Sequence, residues 1–575
     1  MYLAKLTIER FRGISHFEWT PPIGLLALVG AGDSCKTTIL DAIELVLSPR
    51  WNPLVSDNDI FGADTDSDAL IDATVGDLPI ALMSDRKFGL NLRGMNSEGD
   101  IHDEPQDGDD LVLTIRFALD GDMEPTWSVV NDRLEEGRPI SARDRAEIGM
   151  AQLGGAPNSH FTWSRGSAIM AATSSEDDVA RILAEAQRSM RTAVRSVTLS
   201  DLDIAVEKAG IAAIRMGAGK VAEELEAALN AEFVNSRGSG LSLHSRGIPL
   251  DRSGLGTRRL VALGLQQIAV RSGAILLVDE VEAGLEPFRL RHLLRILQEF
   301  ANGEPAGPAL TKGQVLLTTH SPVVIEELDA RSVHVVRRDS EGVVEIRKVP
   351  EQLQDVLRAV PESFLGRRIV VCEGKTELGL ACAVEGQWSS KHGGRSLAHA
   401  GAVLTLGNGQ QTGSRAQAFS TLGFPVSVLA DSDNPLDPSA EALSADGIAV
   451  FLWADGVASE TRLSIDLPWD GFLELYRLAE GHRSSQSIRD AVSSRFETPP
   501  STGEEPQSWA DGGLEEDRIR TAFAEAAIKG AWFKRVDYGI EIGELVVRYW
   551  DDMLESNLVD TLSALADWIY DDDWT

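Results

Sequence analysis

The chain has 575 residues, with 54 Lys and Arg against 89 Asp and Glu and a formal net charge of −35. A composition of 43 % hydrophobic and 25 % charged residues excludes a disordered or fibrous protein, and no apolar run approaches the roughly 20 residues of a membrane span. Cysteines at 35, 372 and 382 give neither zinc spacing nor an even disulfide framework, so the expectation is a reduced, cytoplasmic protein without a signal peptide.

The acid is concentrated. Residues 51–125 hold 18 Asp and Glu against 4 Lys and Arg, and residues 541–575 hold 10 against 1. The segment Arg237–Arg271 runs the other way, with 6 Arg and Asp251 as its one acid. A charge of this sign opposes contact with a polyanion unless cations or local basic patches intervene.

In chain order, Tyr2, Leu3, Leu6 and Ile8 predict a strand leading to Phe11-Arg12-Gly13-Ile14. A second strand, Leu25–Val29, runs into a glycine-rich turn and an apolar helix from Thr37 to Leu47. Residues 55–110, rich in Asp and Gly, read as an acidic insertion, and Leu111–Leu119 alternates as a strand. Residues 176–232 carry helical spacing (Val179, Ile182, Leu183, Ala186, then Val221, Leu225, Ala228, Leu229), so 176–245 is taken as a helical dimerisation segment. A strand–helix unit follows at 273–300 and a strand at Gln314–Thr318. A helical connector at 351–366 leads to further strands at Arg368–Cys372, Val426–Ala430 and Ile448–Leu452. Residues 498–513 read as a loop, and the last 60 as mostly helical. The economical architecture is two α/β domains, 1–350 and 367–575, on either side of 351–366.

The turn Gly30-Ala31-Gly32-Asp33-Ser34-Cys35-Lys36-Thr37-Thr38 follows the phosphate-loop pattern G-x-x-x-x-G-K-[ST], with Cys35 where the second glycine belongs. Backbone N–H groups of such a loop cradle phosphate, the Lys neutralises it and the Thr hydroxyl reaches Mg²⁺. The strand Ile275-Leu276-Leu277-Val278 ends in Asp279, placed to hold Mg²⁺, and Glu280, placed as general base. His320 follows the next strand, and Ser253-Gly254-Leu255-Gly256 opens a helix upstream. This order resembles the ABC-type (RecF/Rad50/SMC-like) ATPase heads. The resemblance implies ATP, a homodimer through the heads, and Ser253, Gly254 and Gly256 contacting nucleotide held by the other subunit.

A second constellation follows. Arg368–Cys372 ends in Glu373, with Glu377 four residues on, and Val426–Ala430 ends in Asp431-Ser432-Asp433. Carboxylates at strand C-termini sit where α/β sheets place their sites, and clustered oxygen ligands suit Mg²⁺ or Mn²⁺. Together these resemble the Toprim domain. By that resemblance Glu373 is a metal ligand or acid–base group, and Glu377, Asp431 and Asp433 are metal ligands. Asp466 is the candidate for a further acid, with Glu460 as alternative, and Lys534 (alternative Lys529) for a late catalytic Lys. An ABC-type ATPase followed by a Toprim domain resembles the OLD (overcoming lysogenization defect) family of nucleases, an architecture shared with the nuclease subunits of Gabija anti-phage systems. The resemblance implies a nucleotide-regulated, metal-dependent DNA endonuclease in anti-phage defence or DNA processing, with DNA as partner and a helicase or other defence protein as a further one. The competing expectations are an ATP-dependent DNA clamp or sensor without nuclease activity, and a Toprim enzyme acting on RNA.

Overall fold

The opening alternation forms β1 (Tyr2–Phe11) and β2 (Ile14–Trp19), an antiparallel hairpin whose turn holds Arg12 at φ 49°. The wholly buried run β3 (Leu25–Val29) leads to α1 (Lys36–Leu47), whose Ile39, Leu40, Ile43, Val46 and Leu47 recur at helical spacing and are buried. In the computed structural model, placement is described for all residues except 51, 135, 154–159, 164–166, 173–199, 219, 230–240, 270–274, 304–312, 497–504 and 572–575. The chain divides into two units, Met1–Val349 and Pro350–Thr575.

Unit 1 is built on one mixed sheet. Its strands are β4 (Ala69–Gly76), β5 (Asp110–Leu119), β6 (Ala151–Leu153), β7 (Ile275–Val278), β8 (Gln314–Thr318), β9 (Val333–Arg338) and β10 (Val343–Lys348) with the first three, in the order β6-β7-β8-β3-β9-β10-β2-β1-β4-β5 and smaller strands beyond. From β6 to β9 the pairing is parallel, and around β1 it is antiparallel. The parallel half therefore brings the C-terminal ends of β3, β7 and β8 to one edge, where a doubly wound sheet binds ligands.

Two expectations for unit 1 are corrected. The acidic stretch 55–110 is not an insertion beside the sheet. It contributes β4, paired on both sides, because Ala69, Ile71, Ala73 and Val75 alternate into the core. Arg116 on β5 meets Asp72 of β4 through two hydrogen bonds of 2.7 and 2.6 Å, which removes the charge objection to an Asp within the strand. The helix expected through residue 232 ends early. Ser200–Arg215 (α2) and Lys220–Glu223 are helical, but Leu225–Leu229 is a strand paired with Leu241–Ser245. Five residues with Leu at both ends fit either period, and the partner strand decides. Val179, Ile182, Leu183 and Ala186 lie outside the described residues.

Unit 2 begins with the connector. Its helix, α3, spans only Gln354–Ala359, and Phe364 packs on Phe419 with ring centroids 5.5 Å apart. A four-stranded, all-parallel sheet follows, made of β11 (Arg368–Cys372), β12 (Ala402–Leu406), β13 (Val426–Ala430) and β14 (Ala449–Leu452) in the order β12-β11-β13-β14. Its helices include α4 (Lys375–Lys391), α5 (Thr412–Thr421), α6 (Ser459–Asp466), α7 (Glu516–Gly530), α8 (Val536–Arg548) and α9 (Asn557–Tyr570). The chain leaves β11 for β12 on one side and reaches β13 on the other, so the topological switch point lies between β11 and β13. Within the segment expected to be a loop, Pro506–Asp511 is helical, with Trp509 buried.

The approach of α8 to α4 is set by glycine. A Cβ on Gly379 would lie 2.3 Å from the Val536 carbonyl oxygen, and one on Gly543 would lie 2.4 Å from the Ala383 Cβ. Only bare backbone allows the two helices this close.

Candidate functional site

In unit 1 the phosphate loop turns sharply between β3 and α1. Gly30 has φ 140°, Asp33 57° and Cys35 67°. A Cβ on Gly30 would meet the Val336 carbonyl at 2.7 Å, whereas Gly32 is open to solvent. Cys35 therefore occupies a left-handed position that glycine fills without cost, at about 1–2 kcal/mol of steric penalty for an L-residue. Burial, only partly offset by Arg338, raises its thiol pKa. Ser34 is buried and donates to the Ala31 carbonyl at 2.9 Å, and Thr38 is half-buried.

Lys36 lies buried in the loop. Its ammonium donates to the carbonyls of Gly30 (3.1 Å) and Ala31 (2.7 Å) and to Ser34 Oγ (3.0 Å). Burial lowers its pKa to about 8, while Asp279, Asp33 and Glu282 act to keep the charge. A phosphate at the α1 N-terminus would replace those carbonyls as the ammonium's partner.

Thr37 donates to Asp279 Oδ1 at 3.0 Å, and Thr318 donates to the same oxygen at 2.6 Å. The loop after β7 is laced to the loop after β8. The N–H of Glu280 meets Thr318 Oγ1 at 2.8 Å, Thr319 donates to Glu282 Oε2 at 2.7 Å, and the His320 N–H donates to Glu282 Oε1 at 2.7 Å. Glu280 is exposed at φ 43°. Burial, then the nearby Lys36 charge, lowers the pKa of the His320 imidazole. Glu282 and Arg259 carry no role in the sequence reading, yet both hold this machinery. Arg259 donates to the carbonyls of Asp279 (2.7 Å) and Ala283 (3.0 Å). Their signal is weak, since an acid after a strand and an arginine in a helix are common surface features.

The Ser253–Gly256 turn opens the helix Leu255–Ala269, with Gly254 and Leu255 exposed. Gly256 has a reason within the chain: a Cβ there would lie 2.3 Å from the Gly284 carbonyl oxygen.

In unit 2 Glu373 ends β11 and Asp431 ends β13, on either side of the switch point. Glu373 Oε2 accepts from the Asp431 N–H at 2.8 Å. Glu377, one turn into α4 and 1 % exposed, joins them through Ser459. Ser459 Oγ lies 2.7 Å from Glu377 Oε1 and 2.6 Å from Asp431 Oδ1, and accepts from Trp453 Nε1 at 2.7 Å. One hydroxyl hydrogen cannot serve two carboxylate oxygens, so Glu377 and Asp431 compete for it. Burial and then Asp431, with Glu377 and Asp433 behind them, raise the pKa of Glu373 to about 7. Burial and Glu377 raise that of Asp431 as well.

Glu373, Glu377, Asp431 and Lys534 line a cavity of about 250 Å³, together with Lys375, Asn408 and Gly409. Lys534 is brought in by its neighbour: buried Thr376 in the first turn of α4 donates to the carbonyl of Phe533, 157 residues on, at 2.9 Å. Burial opposes the Lys534 charge, but Glu460, Glu377 and Asp431 outweigh it and raise the pKa. Asp433 is exposed and outside the lining, yet near enough to raise the pKa of both Glu373 and Asp431.

Asp466 is not among the residues that line the cavity. Its oxygens are taken by Arg462 (2.7 Å) and by the Leu558 N–H at the start of α9 (2.8 Å). The alternative, Glu460, is 1 % exposed and lies 3.4 Å from Lys534 Nζ. The reason is periodicity: Glu460 is in the first turn of α6 beside Ser459, and Asp466 ends that helix. Ser459 escaped sequence reasoning because a serine opening a helix reads as a cap.

Among the described residues, no three His, Cys, Asp or Glu side chains converge tightly enough to hold a metal ion as they stand. The donors nonetheless fit a hard divalent cation in kind: carboxylate oxygens whose mutual repulsion a cation would offset.

Thr37 and Asp279 meeting across parallel strands, with a buried Lys in the turn, puts unit 1 in the class of P-loop ATPases. More than half of the chain, residues 25–326, matches the family described as "AAA domain, putative AbiEii toxin, Type IV TA system", and the chain belongs to that family. It is also similar to the OLD nuclease of Thermus scotoductus (strain ATCC 700910 / SA-01), at 25 % identity over 388 residues, 64 % of this chain and 68 % of that protein. Among solved structures, it resembles the SMC head domain from Thermotoga maritima (18 % identity, TM-score 0.29, 61 % of this chain and 100 % of that one). A further likeness is to the Smc head domain with an extended coiled coil bound to the C-terminal domain of ScpA, derived from Pyrococcus furiosus (15 % identity, TM-score 0.36, 63 % and 99 %). No helix among the described residues is long and apolar enough to cross a membrane.

Proposed function

We propose that this protein is a nucleotide-regulated, divalent-metal-dependent DNA endonuclease of the OLD type, in which unit 1 binds and hydrolyses ATP as a head-to-head homodimer and unit 2 is a Toprim nuclease. Anti-phage defence or DNA processing is the setting we assign to it. The observation that carries the reading is the meeting of Glu373, Glu377, Asp431 and Lys534 at one cavity on a parallel sheet's switch point. The similarity to an OLD nuclease supports it.

Glu373, Glu377 and Asp431 would hold Mg²⁺ or Mn²⁺, with Asp433 at the rim, and the metal would supply an activated water and charge neutralisation at the phosphodiester. The chain's own contributions are distinct. Lys534 brings a positive charge to the side of the cavity where charge builds on the phosphate. Ser459 and Trp453 Nε1 orient Asp431 by donating to its Oδ1, and Glu373 gains orientation from the Asp431 N–H. Glu460, buried beside Lys534, fixes that ammonium. In unit 1, Lys36 and the α1 N-terminus take the phosphates, Thr37 and Asp279 take Mg²⁺, Glu280 serves as base, and Glu282 presents His320. Ser253, Gly254 and Gly256 face the nucleotide of a second copy.

One observation favours a second reading, an ATP-dependent DNA clamp or sensor: Cys35 places an L-residue at φ 67° in the phosphate loop, which suits slow turnover. Nicking of supercoiled plasmid with Mg²⁺ or Mn²⁺, with and without ATP, separates the two. The nuclease reading requires metal-dependent nicking that Asp431→Ala removes.

A further inference from the structure

The wall of the acidic cavity is formed partly by the turn after β12, Leu406-Gly407-Asn408-Gly409, of which Leu406, Asn408 and Gly409 line it. This turn is an unusual piece of backbone. Asn408 and Gly409 stand in succession at φ 59° and 64°, and a Cβ on Gly407 would lie 2.2 Å from Thr412 Oγ1. Such a shape persists only where its surroundings hold it.

Two sets of bonds hold it. On the catalytic side, the Gly407 N–H donates to the Cys372 carbonyl at 2.6 Å and the Gly409 N–H donates to the Glu373 carbonyl at 2.9 Å, so the turn is fastened to the backbone that carries Glu373. On the far side, the buried Arg415 donates to the Leu406 carbonyl at 3.0 Å and to Gln411 Oε1 at 3.1 Å, and its other partner is Asp355 Oδ2. Asp355 belongs to α3, the short helix five residues past the boundary between the two units. Its second oxygen is occupied by the Val356 N–H at 3.0 Å, which fixes the carboxylate toward Arg415. An unbroken run of short contacts thus leads from α3 through Arg415 to Leu406, along the turn to Gly409, and into Glu373.

We infer that Arg415 and Asp355 are positioning residues of the acidic cavity: the ion pair sets the cavity wall and the backbone of Glu373, and makes the segment joining the units the means by which the nucleotide state governs the cavity. The inference rests on the nuclease reading above. Arg415 touches no reacting group. It acts through the Leu406 carbonyl and the Gln411 side chain. Asp355 is half-exposed and its partner buried, so a change at Asp355 reaches the pair from its solvent side and spares the core of unit 2.

The test uses the full chain. Plasmid nicking with Mn²⁺ is measured with and without ATP for the wild type, Asp355→Ala, Asp355→Glu and Arg415→Gln, alongside ATP turnover and thermal unfolding. Asp355→Ala alters a half-exposed side chain, so it keeps the proposal testable if Arg415→Gln fails to fold. The inference predicts a wild-type ratio of nicking with and without ATP that departs from 1 by about fivefold or more in either direction. It predicts a ratio within about twofold of 1 for Asp355→Ala, unchanged ATP turnover, and recovery in Asp355→Glu. A wild-type ratio retained in Asp355→Ala overturns it, as does a wild-type ratio of 1. Absence of nicking by the wild type under every condition instead overturns the nuclease reading itself, and this inference with it.

Discussion

Thr376 donates its hydroxyl to the Phe533 carbonyl at 2.9 Å, joining the first turn of α4 to the residue before Lys534. The contact depends on glycine: a Cβ on Gly539 would lie 2.6 Å from the Thr376 carbonyl oxygen. Thr376→Val keeps the shape and removes the bond, at about 1 kcal/mol. Denaturant unfolding should show that small loss, while nicking falls by more than the stability change explains, because Lys534 loses its register. Nicking at the wild-type rate would show that Lys534 is placed by other contacts. Gly539→Val should be worse, destabilising by about 1–3 kcal/mol or more through overpacking.

Cys35→Gly should relieve the left-handed strain and stabilise unit 1 by about 1 kcal/mol. A higher melting temperature with nucleotide binding intact is the expected result. Loss of binding would show that the thiol serves the site.

Lys36→Ala should abolish ATP binding, because it removes the one cation buried in the loop, and titration with a fluorescent nucleotide checks this. Glu280→Gln should slow turnover by about a hundredfold or more, the scale of a general base, and leave ATP bound. Glu282→Ala should also slow turnover, since Thr319 and the His320 N–H lose their acceptor. In that case the defect lies in placing His320, and binding should survive.

Stability should depend on pH through Glu373. Its carboxyl has a folded-state pKa raised to about 7, chiefly by burial. The folded state therefore holds a proton that the unfolded state has released. Stability is fully present below the ordinary carboxyl range and is lost as pH rises toward 7. Without metal, unit 2 should melt at a lower temperature at pH 7.5 than at pH 5, and Glu373→Gln should flatten that dependence. Mn²⁺ should restore stability at the higher pH. A pH dependence unaltered by Glu373→Gln would contradict this assignment.

Much of the fold was legible because its signals are local. The phosphate loop and the strand ending in Asp279 are contiguous motifs, and the period of α1 needs no partner to be read. Glu373 and Asp431 were visible as acids at strand ends, but only the β12-β11-β13-β14 order explains why they meet. What sequence could not supply was tertiary. Asp72 hides a central strand within an acidic stretch because Arg116 answers it from the next strand. Leu225–Leu229 is a strand because Leu241–Ser245 lies beside it. Glu460, and not Asp466, meets Lys534 because α6 begins at Ser459, and two acids six residues apart do not reveal which end of their helix reaches that lysine. Arg415 offers no motif at all.

The most direct test of the account is nicking of supercoiled plasmid at fixed low salt by the purified full chain, with Mg²⁺ or Mn²⁺, comparing wild type with Asp431→Ala and Glu373→Ala. The account predicts metal-dependent nicking by the wild type and none by either variant, while both still bind ATP. Nicking that survives both substitutions would contradict the assignment of the acidic cavity as the place where the phosphodiester is cut.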